Sequence, residues 1–205
     1  MKSTAVIILA GGQGTRFGEK KQFIQFLGKE LWRHVQEKIS RYVEQENIVV
    51  VGVDIHGGIT RSQSVINGIV RLEEKNRKNG GYERLVILEA ARPLVTYDQL
   101  ELILNENHAS CTFALPLVST IVKKDGSYLN REEYYKLSTP VSFDYELFKE
   151  AYLSGKYYDM SDDTRVMYEH YGIKPRFIEG AENLHKLTYP SDLYVLENLA
   201  KRYCN

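Results

Sequence analysis

A glycine-rich stretch with basic residues follows the first apolar run of the chain. It contains four glycines and three basic side chains: Gly11, Gly12, Gly14, Gly18, Arg16, Lys20 and Lys21. Glycines accept positive φ angles and have no Cβ atom to keep a ligand away from the backbone. Free backbone N–H groups in such a loop attract anions, and the basic side chains add positive charge. The stretch therefore predicts a binding site for a phosphate-rich ligand.

This loop differs from the two most familiar phosphate-binding sequences. The dinucleotide fingerprint would require glycine at position 17, where this chain has Phe17. The mononucleotide P-loop ends in Gly-Lys-Ser/Thr, whereas here Gly18 is followed by Glu19. The stretch is therefore either a third type of phosphate loop or a simple turn after a strand.

Strands and helices alternate along the first half of the chain, which predicts an α/β fold. Four apolar runs are typical of buried parallel strands: Val6–Leu9, Ile48–Val53, Leu85–Leu88 and Thr112–Leu115. Helical spacing of apolar residues follows the first three runs, at about residues 30–43, after the capping-box pair Thr60 and Gln63, and after Thr96. The pattern predicts one Rossmann-like domain over residues 1–205, with a mostly parallel twisted sheet flanked by helices.

Three segments with polar or glycine residues come directly after predicted strands. They are Gly11–Lys21, Gly57–Ser64 and Glu89–Arg92. Ligands of open α/β sheets bind outside the carboxyl ends of the strands. We therefore expect all three segments to meet at one edge of the sheet, around one ligand.

The second half of the chain has a different pattern. Asp125-Gly126 is a strong hairpin signal, and residues 119–139 are predicted to form a β-rich arm suited to pairing with a second subunit. Further helices are expected after Asp144, Ser161–Asp163 and Ser191, and further strands at Arg176–Ile178 and Leu184–Leu187. The polar stretch 73–82 predicts a surface turn.

Composition excludes several classes of function. Lys+Arg and Asp+Glu both number 27, so no basic excess favours nucleic acid or a membrane surface as a partner. Cys111 and Cys204 lie far apart without a CxxC motif, and the five histidines lack metal-ligand spacing, so neither a zinc site nor a disulfide scaffold is expected. The first apolar run is too short for a signal peptide, and no stretch is long enough to span a bilayer. A cytoplasmic location is the expectation.

Six motifs stand in a specific order over nearly the whole chain. They are the glycine loop, Thr60-Arg61 with Ser64-Val65, Ala90–Pro93, Thr139-Pro140, Ser161–Asp163 and Leu184–Thr188. Together they resemble the methylerythritol-phosphate cytidylyltransferases and their ribitol-phosphate relatives. The resemblance implies a fold of the nucleotide-diphospho-sugar transferase type and a homodimer joined through the arm. It also implies transfer of CMP from CTP to a polyol phosphate, with Mg²⁺ and with release of pyrophosphate.

The resemblance also implies roles for individual residues. The catalytic cations would be Arg16, Lys21 and Lys186, with Lys186 at the α-phosphate. The CTP-binding positions would be Ala10, Gly11, Gly12, Gly14, Gly58, Ser64, Ala90 and Arg92. The acceptor-binding positions would be Glu89, Arg131 and Ser161, with Arg131 reaching the acceptor phosphate from the partner subunit. Glu89 is also the candidate Mg²⁺ ligand.

The acceptor side departs from the family pattern. Leu88-Glu89 replaces the usual His-Asp, Ser119 replaces an aspartate on the arm, and Val141 replaces the glutamine after Thr139-Pro140. The region between the first helix and Gly57 is also short. These differences favour a ribitol- or glycerol-phosphate-like acceptor, for a surface polymer such as teichoic acid or capsule. Methylerythritol phosphate, the acceptor of isoprenoid biosynthesis, is the alternative.

The chemistry of this reaction needs cations more than a general base. A phosphate monoester has a second pKa of about 6, so it is largely dianionic near neutral pH and can attack the α-phosphorus directly. Catalysis then depends on positioning and on neutralising phosphate charge. Two other functions stay open: an inactive nucleotide-binding relative and a sugar-phosphate nucleotidyltransferase that uses another nucleotide. Simpler roles also stay open, since Glu89 could cap a turn and Lys186 could be an edge-strand lysine.

Overall fold

The helices and strands alternate as the sequence predicts. The computed structural model describes residues 3–76 and 81–203, and within them it contains ten strands and six α-helices. The strands are β1 (Thr4–Leu9), β2 (Gln25–Phe26), β3 (Lys29–Glu30), β4 (Ile48–Val51), β5 (Arg84–Glu89), β6 (Ser110–Pro116), β7 (Ile121–Val122), β8 (Tyr128–Leu129), β9 (Tyr135–Asp144) and β10 (Arg176–Glu179). The helices are α1 (Leu31–Ile39), α2 (Arg61–Asn76), α3 (Tyr97–Asn105), α4 (Tyr145–Leu153), α5 (Asp163–Tyr171) and α6 (Asp192–Tyr203).

A six-stranded sheet in the order β10-β6-β9-β5-β1-β4 forms the centre of the molecule. β1 pairs in parallel with β4 and with β5, and β10 pairs in parallel with β6. Among the described strands of this sheet, only β9 runs against its neighbours, pairing antiparallel with β5 and with β6. The prediction of a mostly parallel sheet flanked by helices is confirmed.

Two apolar clusters cover the two faces of this sheet. Successive residues of a strand point to opposite faces, so Ile7 packs in the cluster that contains Ile69 of α2, whereas Ile8 packs in the cluster that contains Val35 of α1. All four side chains are fully buried. Burial on both faces explains why β1 is a continuous apolar run rather than an alternating one. None of the helices within the described ranges is both long enough and apolar enough to span a membrane.

Several predicted boundaries of helices and strands are wrong. Helix α1 ends at Ile39 rather than near residue 43, and β4 ends at Val51 because Gly52, with φ of 104°, turns the chain. Helix α2 continues to Asn76 into the predicted turn 73–82, of which residues 77–80 lie outside the described ranges, as does Cys204.

The arm is shorter than predicted. Its hairpin is confirmed: β7 and β8 pair antiparallel around Gly126, which has φ of 90°. The prediction that the arm extends to residue 139 is wrong, because β9 begins at Tyr135 and pairs with β6 inside the central sheet. The arm is therefore the segment 117–134. Thr139-Pro140, joined by a cis peptide bond, lies within β9.

The segment that carries Lys186 is not a strand. A 3-10 helix covers Glu182–Leu184, and the chain then runs extended past α3 with a backbone hydrogen bond from Leu187 to Ala91 (2.8 Å). Leu184 and Leu187 pack into different apolar clusters, which fixes the segment without a strand partner. The predicted strand at Leu184–Leu187 is therefore wrong.

A buried amide pair attaches this segment to the start of α3. The side-chain nitrogen of Asn183 donates to the Leu94 carbonyl (2.8 Å) and to Gln99 Oε1 (2.7 Å). Gln99 Nε2 in turn donates to Asn183 Oδ1 (3.0 Å). Since Asn183 is fully buried, these bonds replace contacts with water.

We predict that Asn183→Ala lowers the free energy of unfolding by about 2–4 kcal/mol, because it leaves buried amide and carbonyl groups unpaired. Urea unfolding followed by circular dichroism measures the change. Asn198→Ala, which alters a partly exposed amide on α6, is the matched control and is expected to shift stability by less than about 0.5 kcal/mol. Equal losses in the two variants would contradict the role of the buried pair.

Candidate active site

A cleft of about 330 Å³ opens at the carboxyl ends of β1 and β5. The glycine loop, the start of α2, the turn after β5 and the segment near Lys186 form its walls. The three segments that follow the first three predicted strands therefore meet, as expected. The sequence-predicted residues that line the cleft are Ala10, Gly11, Gly12, Gly14, Arg16, Lys21, Gly58, Ser64, Glu89, Ala90 and Lys186.

Glycines let the backbone form this cleft. Gly14 has φ of 70°, and a Cβ atom there would lie 1.6 Å from the carbonyl oxygen of Glu19, so the loop can close on itself only with glycine. A Cβ atom on Gly11 would lie 2.8 Å from the Cα atom of Gly57. The loops after β1 and β4 therefore touch backbone to backbone, which leaves peptide groups rather than side chains on this side of the cleft.

The three predicted catalytic cations come together in the cleft. Lys21 is anchored by a hydrogen bond from Nζ to the carbonyl oxygen of Leu187 (2.7 Å). Burial, and then the charge of Lys186, lower the pKa of the Lys21 amine below its usual value. Arg16 lies at the mouth, exposed to solvent, with its guanidinium 6.0 Å from the centre of the Tyr189 ring. The site is thus a concentration of positive charge with room for an anion.

Glu89 stands among these cations. Its carboxylate is almost fully buried and lies 2.8 Å from Lys186 Nζ, 3.4 Å from Arg61 Nε and 3.5 Å from Arg92 Nε. Burial alone would raise the pKa of Glu89, but the charges of Lys186, Arg61 and Arg92 outweigh burial and lower it to about 2. Glu89 is therefore ionised and neutralises part of the positive charge.

Arg61 is a site residue that sequence reasoning missed. It lines the cleft, and both terminal nitrogens of its guanidinium donate to the carboxylate of Asp163 at 2.6 Å. Asp163 is 2% exposed and also accepts a hydrogen bond from the Tyr152 hydroxyl. One feature of the sequence could have indicated a role for Arg61 in the site: it directly follows the capping residue Thr60, at the end of the loop after β4.

Three predicted site residues do not line the cleft. Arg92 is buried behind Glu89, where it donates to Thr139 Oγ1 (3.0 Å) and to the Leu184 carbonyl, so the predicted contact with CTP does not fit its position. Arg131 lies on the exposed arm and donates to the Val118 carbonyl. Ser161 is exposed just before α5.

Ser64 lines the cleft, but its hydroxyl is used within its own turn. It accepts from the Gly58 backbone N–H (3.0 Å) and donates to the Thr60 carbonyl (3.2 Å). These bonds close the turn between Gly58 and the start of α2.

The surroundings of Glu89 do not fit a resident Mg²⁺. A divalent ion needs several oxygen ligands, and the described residues contain no group of three or more histidine, cysteine, aspartate or glutamate side chains that could hold one. The Glu89 carboxylate already faces Lys186 and two guanidinium groups, which would repel a further cation. The prediction that Glu89 binds the metal is therefore not supported.

Comparison with known proteins agrees with this geometry. The family model for 2-C-methyl-D-erythritol 4-phosphate cytidylyltransferase matches residues 53–202, and the model for the MobA-like NTP transferase domain matches residues 6–66. The chain belongs to the 2-C-methyl-D-erythritol 4-phosphate cytidylyltransferase family. The resemblance inferred from the six motifs is confirmed.

Members and relatives of this cytidylyltransferase family align along nearly the whole chain. The 2-C-methyl-D-erythritol 4-phosphate cytidylyltransferase of Thermotoga neapolitana is 31% identical over 96% of each protein. The D-ribitol-5-phosphate cytidylyltransferases of Xenopus tropicalis and Homo sapiens are 28% and 27% identical, and the chain spans 56% and 52% of their lengths.

Solved structures of the cytidylyltransferase family have the same fold. The bifunctional IspDF protein of Campylobacter jejuni matches 95% of this chain, over 54% of its own length, with a TM-score of 0.80 and 26% identity. The 2-C-methyl-D-erythritol 4-phosphate cytidylyltransferase of Thermus thermophilus matches 98% of this chain and all of its own, with a TM-score of 0.75 and 22% identity.

The depressed pKa of Glu89 predicts a pH-dependent contribution to stability. A carboxylate with a folded-state pKa of about 2, against 4.5 in the unfolded chain, contributes roughly 3 kcal/mol above pH 4.5. That contribution is lost as the pH falls from about 4.5 towards 2. We predict that Glu89→Gln is strongly destabilised at pH 7 and approaches the wild type as the pH is lowered.

Urea unfolding of both proteins from pH 7 to pH 3 measures this convergence. Glu197→Gln, on the exposed side of α6, is the control and is expected to stay within about 0.5 kcal/mol of the wild type throughout. A constant difference between wild type and Glu89→Gln over this pH range would contradict the depressed pKa.

Proposed function

We propose that this chain transfers CMP from CTP to the phosphate group of a small polyol phosphate and releases pyrophosphate. The convergence of Arg16, Lys21 and Lys186 on the glycine-lined cleft carries the proposal, because two anionic reactants need concentrated positive charge to meet. Membership in a cytidylyltransferase family supports the reaction class. An inactive relative is disfavoured, since it would have no need to keep three cations in one cleft.

The proposed reaction is an in-line displacement at the α-phosphorus. An oxygen of the acceptor phosphate forms the new P–O bond, and the bond from the α-phosphorus to the bridging oxygen breaks, so that the β- and γ-phosphates leave as pyrophosphate. The planar guanidinium of Arg16 suits bidentate contact with the leaving phosphates, while Lys21 and Lys186 act as point charges. The half-buried position of Lys21 strengthens its attraction to phosphate because less water screens it.

CTP would occupy the side of the cleft that peptide groups line. Ala10–Gly14, Gly58 and Ala90 present backbone there, which suits recognition of the base and ribose by N–H and C=O groups. Mg²⁺ would arrive as the counter-ion of the triphosphate, as part of the substrate, because the Glu89 carboxylate in the wall is already paired.

For the acceptor we propose a ribitol- or glycerol-phosphate-like polyol, used in the cytoplasm for a surface polymer such as teichoic acid or capsule. The replacement of the usual His-Asp by Leu88-Glu89 supports an altered acceptor side, since Leu88 is buried and Glu89 is tied to Lys186. A second candidate acceptor is 2-C-methyl-D-erythritol 4-phosphate, which the relative from Thermotoga neapolitana favours.

We further propose a homodimer joined through the arm. Val118, Val122 and Tyr128 on the arm are 82%, 52% and 77% exposed, and a two-stranded hairpin cannot bury such side chains by itself. Arg131 on the same arm would then reach the acceptor phosphate in the partner's cleft.

Pyrophosphate release with CTP, UTP, GTP or ATP, each with Mg²⁺ and a panel of phosphates, tests the proposed reaction. The panel contains ribitol, glycerol, methylerythritol and simple sugar phosphates. We expect release with CTP and one polyol phosphate only. Pyrophosphate release with a sugar phosphate and another nucleotide would refute CTP as the nucleotide. No pyrophosphate release with any acceptor would favour a non-catalytic role.

We predict that Lys21→Met lowers kcat by about 10²- to 10³-fold, because it removes a cation from the leaving phosphates but keeps the aliphatic stem. Lys20→Met is the matched control: Lys20 is the exposed neighbour and should retain nearly full turnover. Circular dichroism shows whether both variants are folded. Near-normal kcat in folded Lys21→Met would remove Lys21 from the mechanism.

We predict that Arg131→Ala raises the KM for the acceptor far more than the KM for CTP. Co-expression of Arg131→Ala with Lys21→Met chains tests whether Arg131 acts across subunits. A mixed dimer then contains one of its two sites with both residues intact, so purified mixed dimers should recover about half of the wild-type activity, and a random co-expression mixture about a quarter. No recovery in purified mixed dimers would contradict the cross-subunit role.

A further inference from the structure

Arg61 is held by two carboxylates that lie on either side of it. Its terminal nitrogens donate to both oxygens of Asp163 at 2.6 Å, and its Nε lies 3.4 Å from Glu89 Oε1. Asp163 is itself fixed, because it is nearly fully buried and accepts from the Tyr152 hydroxyl. Arg61 therefore connects the start of α5 with the end of β5 through one rigid side chain.

The charge of Arg61 is already compensated by Asp163. A bidentate arginine–carboxylate pair is close to neutral as a unit, so Arg61 adds little net positive charge for a substrate phosphate. The two short hydrogen bonds to Asp163 fix the plane of the Arg61 guanidinium, and its Nε–H group then faces Glu89. Arg16 and Lys21 differ, since Arg16 is exposed at the mouth of the cleft and the Lys21 amine donates to a neutral carbonyl.

Glu89 needs such a fixed partner. A glutamate side chain has three rotatable torsions, and restricting them costs conformational entropy unless contacts hold the carboxylate. Lys186 Nζ and Arg92 Nε lie 2.8 Å and 3.5 Å from Oε2, whereas Arg61 Nε lies 3.4 Å from Oε1. Without Arg61, the carboxylate and the Lys186 ammonium that it restrains could turn together away from the observed position.

We propose that Arg61 is a positioning residue: clamped by Asp163, it holds Glu89, and through Glu89 it holds Lys186, in the place where the acceptor phosphate must meet the α-phosphate. The inference rests on the proposed function for its kinetic consequence. The contact between Arg61 and Glu89 can be tested without activity.

Two neighbouring contacts provide a matched control. Thr60 Oγ1 donates to the Tyr158 carbonyl (2.5 Å), and Ser62 Oγ donates to the Met160 carbonyl (2.9 Å) and accepts from the Met160 N–H (3.0 Å). These bonds join the same start of α2 to the segment before α5, but they do not reach Glu89. Ser62→Ala therefore loosens this junction, including a contact of Ser62 with the Tyr152 hydroxyl, while leaving both carboxylate contacts of Arg61 in place.

The first test is a double-mutant cycle with Arg61→Lys and Glu89→Gln, measured by urea unfolding. Lysine keeps the charge but lacks the planar fork that bridges both carboxylates. If Arg61 holds Glu89, the effects of the two substitutions on the unfolding equilibrium constant should depart from additivity by at least about threefold. Additive effects would overturn the inference, whether or not the enzyme turns over any acceptor.

The second test compares kinetic constants. Arg61→Lys and Asp163→Asn should each raise the acceptor KM by about tenfold, since each breaks charge-assisted hydrogen bonds of the clamp, while the KM for CTP changes by less than about threefold. In the Glu89→Gln background, Arg61→Lys should add less than about twofold. Ser62→Ala should lower stability but leave the ratio of the two KM values unchanged.

The outcomes separate positioning from general loosening and from failure of the proposed function. An equal rise in both KM values, or the same acceptor effect from Ser62→Ala, would overturn the positioning role. Non-additive unfolding in a protein that turns over no polyol phosphate would support the clamp and refute the proposed reaction instead.

Discussion

The ion pairs of Glu89 hold the cleft together. Three basic side chains approach this one carboxylate, and each comes from a different part of the chain: Arg61 from α2, Arg92 from the turn after β5 and Lys186 from the C-terminal segment. Asp163 already compensates Arg61, but without an anion between them Lys186 and Arg92 would repel each other; at an effective dielectric constant of about 20, two unit charges 4 Å apart repel by about 4 kcal/mol. Glu89 supplies that anion, so the cleft keeps its shape before any phosphate arrives.

Sheet topology explains why nucleotide and acceptor functions can meet at one edge. β4, β1 and β5 are parallel neighbours, so the loops that follow them lie side by side. β9 runs antiparallel between β5 and β6, so its first residue, Tyr135, lies at the same edge as the last residue of β6, Pro116. The arm that joins them therefore leaves the sheet at the edge where the cleft opens. In the proposed homodimer, the reversed strand would place a partner's arm within reach of the cleft.

Local sequence patterns were sufficient for the presence of β1, β4, β5 and β6 and for the meeting of the three loops, because apolar periodicity and glycine chemistry act over a few residues. They failed where distant contacts decide. Arg61 and Asp163 are 102 positions apart, so no spacing rule joins them. Arg92 follows a strand, but its guanidinium turns inward to Thr139 and Glu89 instead of into the cleft. The segment around Lys186 was predicted to be a short strand, but its leucines, Leu184 and Leu187, are three positions apart and fill two separate apolar clusters.

The contact between Gly11 and Gly57 has a consequence for how this protein can change over generations. On one wall of the cleft the peptide groups at Gly11 and Gly14 are packed too tightly to admit a Cβ atom, whereas the wall with Glu89, Arg61 and Lys186 consists of side chains. A codon change replaces a side chain but leaves the peptide group in place. Single substitutions can therefore change the contacts that the side-chain wall makes with a ligand. On the glycine wall, a substitution that adds a Cβ atom would require the neighbouring backbone to move as well.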